Sequence, residues 1–149
     1  MLVIVGGFAL ARFIVVPAIS PRPADLGVGS AGDLRSCPST PNCVHTQADP
    51  TDEDHFIPPI ALDADTSPAQ AQARIRQIVA SMDRSTIITD DDRYLHVEFR
   101  SLLWGFIDDT EFYFADDAIH FRSGARLGRS DIGMNRQRME TIRERFGAQ

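Results

Sequence analysis

The sequence predicts an α+β fold: a two-layer sandwich in which a short antiparallel meander carries two helices packed on one face, preceded by an N-terminal membrane helix. Three observations lead to this prediction. Apolar and polar residues alternate over several segments between residues 86 and 124, a helical apolar pattern lies on either side of them, and the first twenty residues are nearly all apolar. A chain of 149 residues with 43% hydrophobic content has room for one domain with an ordinary core and an extension.

Residues 1–20, MLVIVGGFALARFIVVPAIS, are predicted to form an uncleaved membrane anchor. A helix of this length would be roughly 28 Å long, close to the thickness of the hydrocarbon core of a bilayer. Arg12 is costly there unless it reaches the interface or finds a partner. The alternatives are a buried element of the domain and a signal peptide. A signal peptide would need a basic start, and Pro21 would hinder cleavage after Ser20.

Residues 21–57 are predicted to be an irregular arm, because they are rich in Pro, Gly, Ser and Asp and show no helical or strand period. A disulfide between Cys37 and Cys43, the two cysteines of the chain, is expected to contribute about 2 kcal/mol and implies an oxidising compartment. Two free thiols are an alternative. A zinc site with His45 and His55 is another, but the spacing matches no standard zinc site, so we predict no metal and no cofactor.

Residues 58–149 are predicted to form the α+β domain, which begins with a short edge strand and a helix at about 67–83. Ser67 is a suitable N-cap, and with Pro68 at the first helical position and Gln70 at the third it forms a capping box. The apolar stripe of this helix consists of Ala71, Ile75, Ile78, Val79 and Met82. We expect a packing helix without chemistry.

Four strands and a second helix complete the domain. The strands are expected at 86–89, 93–101, 107–114 and 119–124. A tight turn at residues 116–117 joins the last two strands. The final helix, at about 134–146, is expected to be capped by Asp131 or Asn135. Its apolar stripe consists of Met139, Ile142 and Phe146.

The turns predict the register of the strands and a ladder of charges on the outer, exposed face of the sheet. A two-residue loop in the last hairpin pairs Glu111 with Arg122. A connection centred on residues 104–105 would place Arg100 opposite Asp109. The outer face would then carry His96, Glu98, Arg100, Asp109, Glu111, His120 and Arg122. The two histidines of this face are expected to be plain surface residues.

The candidate polar site combines the acids of the sheet with the arginines that follow them. In a structural interpretation the acids neutralise these arginines, and Asp108, on the apolar side by parity, contacts an arginine of the glycine-rich loop. In a functional interpretation paired carboxylates act as acid and base, or the arginines, Arg129 included, bind phosphate or carboxylate. No catalytic residue is assigned, because no nucleophile motif is present. The candidate residues are Asp108, Asp109, Glu111, Arg122, Ser123, Arg126, Ser130, Asp131, Asn135 and Arg136.

Three phrases, CPSTPNCV, RSLLWGFIDDTEF and RSGARLGRSDIGMNRQRME, resemble the family known as domain of unknown function 1499 over about residues 26–146. Members of that family often carry an N-terminal membrane segment, so the resemblance supports the anchor. The resemblance implies no reaction and no catalytic residue. The positions that match the family's motifs are Cys37, Asn42, Cys43, Asp108, Asp109, Arg122, Ser123, Arg126, Ser130, Asp131, Gly133, Asn135 and Arg136.

The charge distribution argues against nucleic acid as a partner. Residues 46–117 hold five arginines against sixteen acids, whereas a nucleic-acid binder would show a basic excess. We therefore expect a membrane-anchored, non-catalytic binding or accessory module of the membrane or envelope. Its expected partners are the membrane and an anionic small molecule or a membrane protein. The disulfide favours an extracytoplasmic domain, although Arg22 and Arg35 after the anchor favour the cytoplasm.

Two alternatives remain open at this point. A small hydrolase or transferase for an anionic substrate would use Asp109 or Glu111 as base and Arg122 and Arg126 as anion clamps, and these groups would converge beside open space. A structural subunit of a membrane complex would purify repeatedly with the same proteins. A binding module would instead show these charges satisfied by one another.

Overall fold

The computed structural model describes residues 19–148. The predicted membrane anchor, residues 1–20, lies almost wholly outside these residues. Between residues 19 and 148, no helix has both the length and the apolar character needed to cross a bilayer. The anchor therefore stays a prediction.

The described chain has the predicted α+β class, with an antiparallel sheet and two helices. Its elements are β1 (Cys43–His45), β2 (Ile60–Ala61), α1 (Pro68–Ala80), β3 (Ser85–Asp91), β4 (Tyr94–Arg100), β5 (Ile107–Phe114), β6 (Ala118–Ala125) and α2 (Met134–Gly147). The six-stranded sheet has the order β1-β6-β5-β4-β3, and β2 also pairs with β6. Strands β1 and β2 thus share the edge of β6 that β5 leaves free.

One hydrophobic core lies between the sheet and both helices. Phe112 of β5, Phe121 of β6, Ile75 of α1 and Ile142 of α2 are completely buried in it. The predicted apolar stripes of the helices and the predicted inward residues of the strands therefore meet, and the two helices cover one face of the sheet.

Helix α1 begins with the capping box that the sequence predicts. Oγ of Ser67 accepts a hydrogen bond from the backbone N–H of Gln70 at 3.3 Å, and Oε1 of Gln70 accepts one from the backbone N–H of Ser67 at 2.9 Å. Pro68 lies in the first turn, where a backbone donor has no helical partner. The start of α1 is fixed in this way, and its apolar stripe faces the core.

The β5–β6 hairpin has the predicted register. Glu111 lies opposite Arg122 and Tyr113 lies opposite His120. With so short a turn, only one pairing of the two strands keeps Phe112, Phe114 and Phe121 on the core side.

The predicted register of the β4–β5 hairpin is wrong. Arg100 lies opposite Ile107, and Asp109 lies opposite Glu98. The connection comprises residues 101–106 and is closed by a hydrogen bond from the backbone N–H of Ser101 to the carbonyl of Phe106, so its centre lies one residue earlier than predicted. The pairing shifts by two residues, and an even shift keeps every side chain on its predicted face.

The arm, residues 21–57, folds back over the outer face of the sheet and contributes β1 to its edge. The backbone N–H of Gly27 donates to Oε1 of Glu111 at 2.7 Å, and Arg22 forms an ion pair with Glu98. The prediction of an exposed outer face is therefore wrong, and so is the prediction that His96 is a surface residue, whereas His120 is partly buried. The buried polar residues of this face include His96, Asp109, Glu111 and Arg122. Strand periodicity separates two faces but does not reveal what covers each one.

Candidate functional site

Asp109 is the centre of a group of charges, the ionic cluster, formed with the buried His96 and Arg126, with Glu98 and with the half-exposed Arg22. Nε2 of His96 lies 2.7 Å from Oδ1 of Asp109, and Arg126 donates to both oxygens of Asp109 at 2.7 Å. Nη2 of Arg126 also donates to Oε1 of Glu98 at 2.5 Å, and Arg22 donates to the same oxygen from the arm. The cluster thus connects β4, β5, the residue after β6 and the arm.

The partners of Asp109 hold its pKa far below the usual range. Burial alone would raise the pKa of Asp109, but the hydrogen bonds from Arg126 and His96 outweigh burial and lower it from 3.8 to about 2. The pKa of Arg126 is raised for the complementary reason, since its bonds to Asp109 and Glu98 exceed the cost of burial. Both groups are therefore charged at neutral pH.

Acid should lower the free energy of unfolding, because it protonates the carboxylate of Asp109. The lowered pKa of Asp109 contributes stability that is fully present above pH 3.8 and is lost as the pH falls through about 2. The contribution is about 2–3 kcal/mol, because the pKa falls from 3.8 to about 2 and a difference of one in pKa corresponds to about 1.4 kcal/mol. Carboxyl-carbon NMR should show Asp109 titrating with a midpoint near 2. A midpoint at or above the ordinary value would contradict the paired geometry.

Glu111 holds the arm and the sheet together. Its Oε1 accepts hydrogen bonds from the backbone N–H of Gly27 at 2.7 Å and from the hydroxyl of Tyr94 at 2.8 Å. Burial and the nearby carboxylate of Glu111 raise the pKa of Tyr94, so this hydroxyl stays protonated. The carboxylate is less well matched to Arg122, whose Nη1 lies 3.7 Å from its Oε2.

Asp108 lies on the helix side of the sheet, as its parity predicts, but the partner given by the structure is Arg138 of α2. The two side chains meet at 2.7 Å, and the guanidinium of Arg138 also lies over the ring of Phe99. The expected contact with an arginine of the glycine-rich loop is therefore wrong for Asp108. That loop instead supplies Arg126 to Asp109, on the other face of the sheet.

Ser123 and Asn135 belong to a second buried network beneath α2. Oγ of Ser123 donates to Oδ1 of Asn135 at 2.6 Å and is hydrogen-bonded to Oγ1 of Thr110. Nδ2 of Asn135 donates to the backbone carbonyl of Asn42, so the network reaches the arm. Both candidate residues thus help to seat α2 on the sheet.

The remaining candidate residues fix chain segments. Asp131 accepts a hydrogen bond from the backbone N–H of Asn135 at 2.7 Å, in the first turn of α2, but the N-cap residue itself is Gly133 and not the predicted Asp131 or Asn135. Oγ of Ser130 accepts one from the backbone N–H of Ile132. Arg136 donates to backbone carbonyls of the arm, on Glu53, Asp54 and Phe56. The candidate residues are therefore divided between the two faces of the sheet, the loop before α2 and α2 itself.

The arm also supplies functional contacts that sequence reasoning missed. A backbone N–H such as that of Gly27 leaves no pattern in a sequence, and strand alternation can place Tyr94 on the outer face but does not reveal its hydrogen bond to Glu111. His45 of β1 is buried beside Arg122, and burial together with that charge lowers its pKa to about 4. His45 is therefore neutral at physiological pH.

Cys37 and Cys43 form the predicted disulfide, with a Cα–Cα distance of 5.7 Å. Both sulfurs are thereby removed from the alternative zinc site. His55 pairs with Asp52 at 2.7 Å and lies near the carbonyl of Thr40. Within residues 19–148, no three His, Cys, Asp or Glu side chains are grouped as a metal site would require.

Exposed apolar side chains, together called the apolar end, lie in the connection between β4 and β5 and around the start of α2. Leu103 is 62% exposed, Trp104 60% and Ile132 93%. The apolar end consists of Leu102, Leu103, Trp104, Phe106, Ile132 and Met134. An open groove of about 590 Å³ adjoins Leu102 and Met134. The arginines that line this groove are Arg84, Arg100, Arg138 and Arg145.

A comparison with known protein families identifies the family of this chain. A family model described as "Protein of unknown function (DUF1499)" matches residues 33–146. Neither a curated protein nor a solved structure matches the chain.

Proposed function

Because this chain belongs to the DUF1499 family of proteins of unknown function, we propose its role from its own geometry: a non-catalytic binding module that is tethered to a membrane. In this proposal the domain lies outside the cytoplasm and rests on the membrane surface through the apolar end. The observation that carries the proposal is the position of the apolar end, which coincides with the point where the chain enters the domain.

The topology supports this coincidence. In the antiparallel sheet, Arg100 at the end of β4 lies opposite Ile107 at the start of β5, and Asp108 lies opposite Ala125 at the end of β6. The connection that carries most of the apolar end therefore projects from the end of the sheet at which β4 and β6 finish and β5 begins. Nη1 of Arg126, directly after β6, donates to the carbonyl of Ser20 at 3.3 Å. Ser20, the last residue of the apolar segment, therefore lies at the same end of the sheet.

The chemistry of the apolar end suits a lipid surface. Exposed apolar clusters on small proteins mark interaction sites, and a tryptophan combines an apolar ring with a polar N–H that fits the headgroup region. Arginines beside the cluster, such as Arg84 and Arg100, would attract anionic headgroups. The Cys37–Cys43 disulfide supports an oxidising compartment for the domain.

The hydrogen bonds that the carboxylates of Asp109 and Glu111 accept from the protein itself support a role without catalysis. Both oxygens of Asp109 and one oxygen of Glu111 accept hydrogen bonds from the protein itself. A general base needs an oxygen that a substrate proton can reach, and these two residues are 1% and 0% exposed. The interpretation as a hydrolase or transferase therefore has less support than a binding module.

Trp104, the single tryptophan of the chain, allows a direct test. The full-length protein is reconstituted in vesicles with brominated lipids, which quench a nearby indole. We expect Trp104 to lose most of its fluorescence and to emit at shorter wavelength than in detergent-free buffer, because docking would place its ring in the headgroup region.

A matched control moves the reporter to the other end of the sheet. Asp117 is an exposed turn residue after β5, roughly 25 Å along that strand from the apolar end. The double variant Trp104→Phe with Asp117→Trp should be quenched weakly by the same lipids. Weak quenching at both positions would contradict docking on lipid and would favour a structural subunit whose apolar end meets a membrane protein.

A further inference from the structure

We propose that a cavity between the arm and the outer face of the sheet binds a small oxyanion, a phosphate or carboxylate group, through Arg122 and Arg35. This proposal goes beyond membrane docking and does not depend on it. The cavity has a volume of about 270 Å³. That is below the usual range for pockets that take drug-sized molecules, so it suits a small charged group.

The disulfide loop and β6 shape the cavity. Thr40 and Asn42 of the disulfide loop form one wall, and Oγ1 of Thr40 donates to Oδ1 of Asn42 at 2.7 Å. Nδ2 of Asn42 donates to the carbonyl of Gly128, which fixes the wall to the loop after β6. On the floor, a Cβ at Gly124 would lie 3.0 Å from the sulfur of Cys43 and 3.3 Å from Nη2 of Arg122. A glycine there therefore leaves room for the guanidinium.

Arg122 lines this cavity with unused hydrogen-bond donors. Its side chain is 6% exposed, and within the described part of the chain no group accepts a hydrogen bond from it. Its Nε is fully buried without a partner. The carboxylate of Glu111, at 3.7 Å, offsets part of the charge but is too far away for a hydrogen bond. A buried guanidinium without acceptors is costly, and an anion in the cavity would supply them.

Arg126 shows the contrast within the same cavity. It also lines the space, but it donates to Asp109, Glu98 and the carbonyl of Ser20. Its hydrogen bonds are therefore used by the ionic cluster. Of these two arginines, only Arg122 has a guanidinium group whose N–H donors lack an acceptor among the described residues.

Arg35 brings a second cation to the cavity from the arm. Its side chain is 35% exposed, and Nε lies 2.9 Å from the largely exposed carboxylate of Asp25. Burial is the largest cause of the lowered pKa of Arg122, the carboxylate of Glu111 opposes this lowering, and the like charge of Arg35 adds to it. A bound anion would relieve this repulsion and could accept from both guanidinium groups.

The negative groups near the cavity do not replace such an anion. Asp109 lines it, but both of its oxygens are bonded to Arg126 and His96. Asp25 pairs with Arg35 from the solvent side. The cavity therefore presents guanidinium groups whose opposing carboxylates are either occupied elsewhere or out of hydrogen-bonding range.

The test is a thermal unfolding titration of the full-length protein with sodium phosphate and, separately, sodium acetate, with ionic strength held constant by sodium chloride. At least one anion should raise the melting temperature in a saturable way. Arg122→Gln and Arg35→Gln should each weaken the apparent affinity at least about tenfold, as expected for loss of charge-assisted hydrogen bonds.

Arg93→Gln is the matched control, because Arg93 forms a similarly exposed ion pair with Asp116 away from the cavity. Its affinity should equal that of the unaltered protein. Stronger binding of phosphate identifies a phosphate site, and stronger binding of acetate identifies a carboxylate site. The absence of a saturable shift with either anion, or an equal loss in Arg93→Gln, would overturn the proposal. If Arg122→Gln does not fold, the half-exposed Arg35 decides the question alone.

Discussion

Replacement of Asp109 by Asn should lower the free energy of unfolding by about 3–5 kcal/mol. Asp109 is 1% exposed and is the shared partner of Arg126 and His96. The amide is nearly the same size, so no cavity is created, but one of the two carboxylate charges that compensate Arg126 is lost, and only Glu98 remains. The amide also cannot accept both bonds from Arg126, because one of its two polar atoms is a donor. Urea unfolding at neutral pH, followed by circular dichroism, measures the loss.

The control is Asp116→Asn, which removes one partner of an exposed ion pair with Arg93. Such pairs contribute at most about 1 kcal/mol, so this variant should unfold almost like the unaltered protein. If Asp109→Asn lost no more stability than Asp116→Asn, the ionic cluster would not be a structural element. The carboxylate would then have to be kept for binding or catalysis.

Local signals in the sequence were sufficient for the helices and for the last hairpin. The capping box at Ser67 uses residues within one turn, and the tight turn after β5 fixes the pairing of Glu111 with Arg122. These features depend on neighbours in the chain, so they can be predicted without knowledge of the tertiary structure. The same holds for the disulfide, whose two cysteines enclose a short loop.

The packing of the arm on the outer face of the sheet could not be predicted from such local signals. The arm has no period, and its contacts with the sheet are made by single groups such as the N–H of Gly27 and the guanidinium of Arg22. These groups are more than seventy residues away in sequence from the acids that they meet. Without the arm, Asp109 and Glu111 resemble an exposed charge ladder. With it, they form the polar interior between two parts of the chain.

The connection between β4 and β5 shows a related difficulty. The sequence predicts a centre at residues 104–105, whereas the centre of this connection lies one residue earlier in the structure. In the structure Leu103 and Trp104 point to the exterior, whereas the neighbouring Asp109 is buried. An apolar loop that is exposed and an acid that is buried both run against the general preference for residue burial, and such reversals occur where a protein meets a partner or builds a polar network.

Removal of the disulfide should cost about 2 kcal/mol of unfolding free energy without loss of the fold. The loop closed by Cys37 and Cys43 spans a sequence separation of six, and the entropy that a cross-link removes from the unfolded chain is modest for so short a loop. The fold should survive, because β1 keeps its backbone pairing with Gly124 and the N–H of Thr46 keeps its bond to the carbonyl of Phe121. Urea unfolding of the double variant Cys37→Ala with Cys43→Ala gives the value.

Reduction provides an independent measurement of the same contribution. The unaltered protein in dithiothreitol should unfold like the double variant, and dithiothreitol should leave the double variant unchanged. Alanine is the suitable replacement because Cys43 is 1% exposed and a serine hydroxyl there would be buried. Equal stability of the oxidised and reduced protein would mean that the loop is held by its other bonds, such as that from Asn42 to the carbonyl of Gly128. An oxidising compartment would then be supported only by the presence of the bond, because the bond would contribute nothing to the stability of the fold.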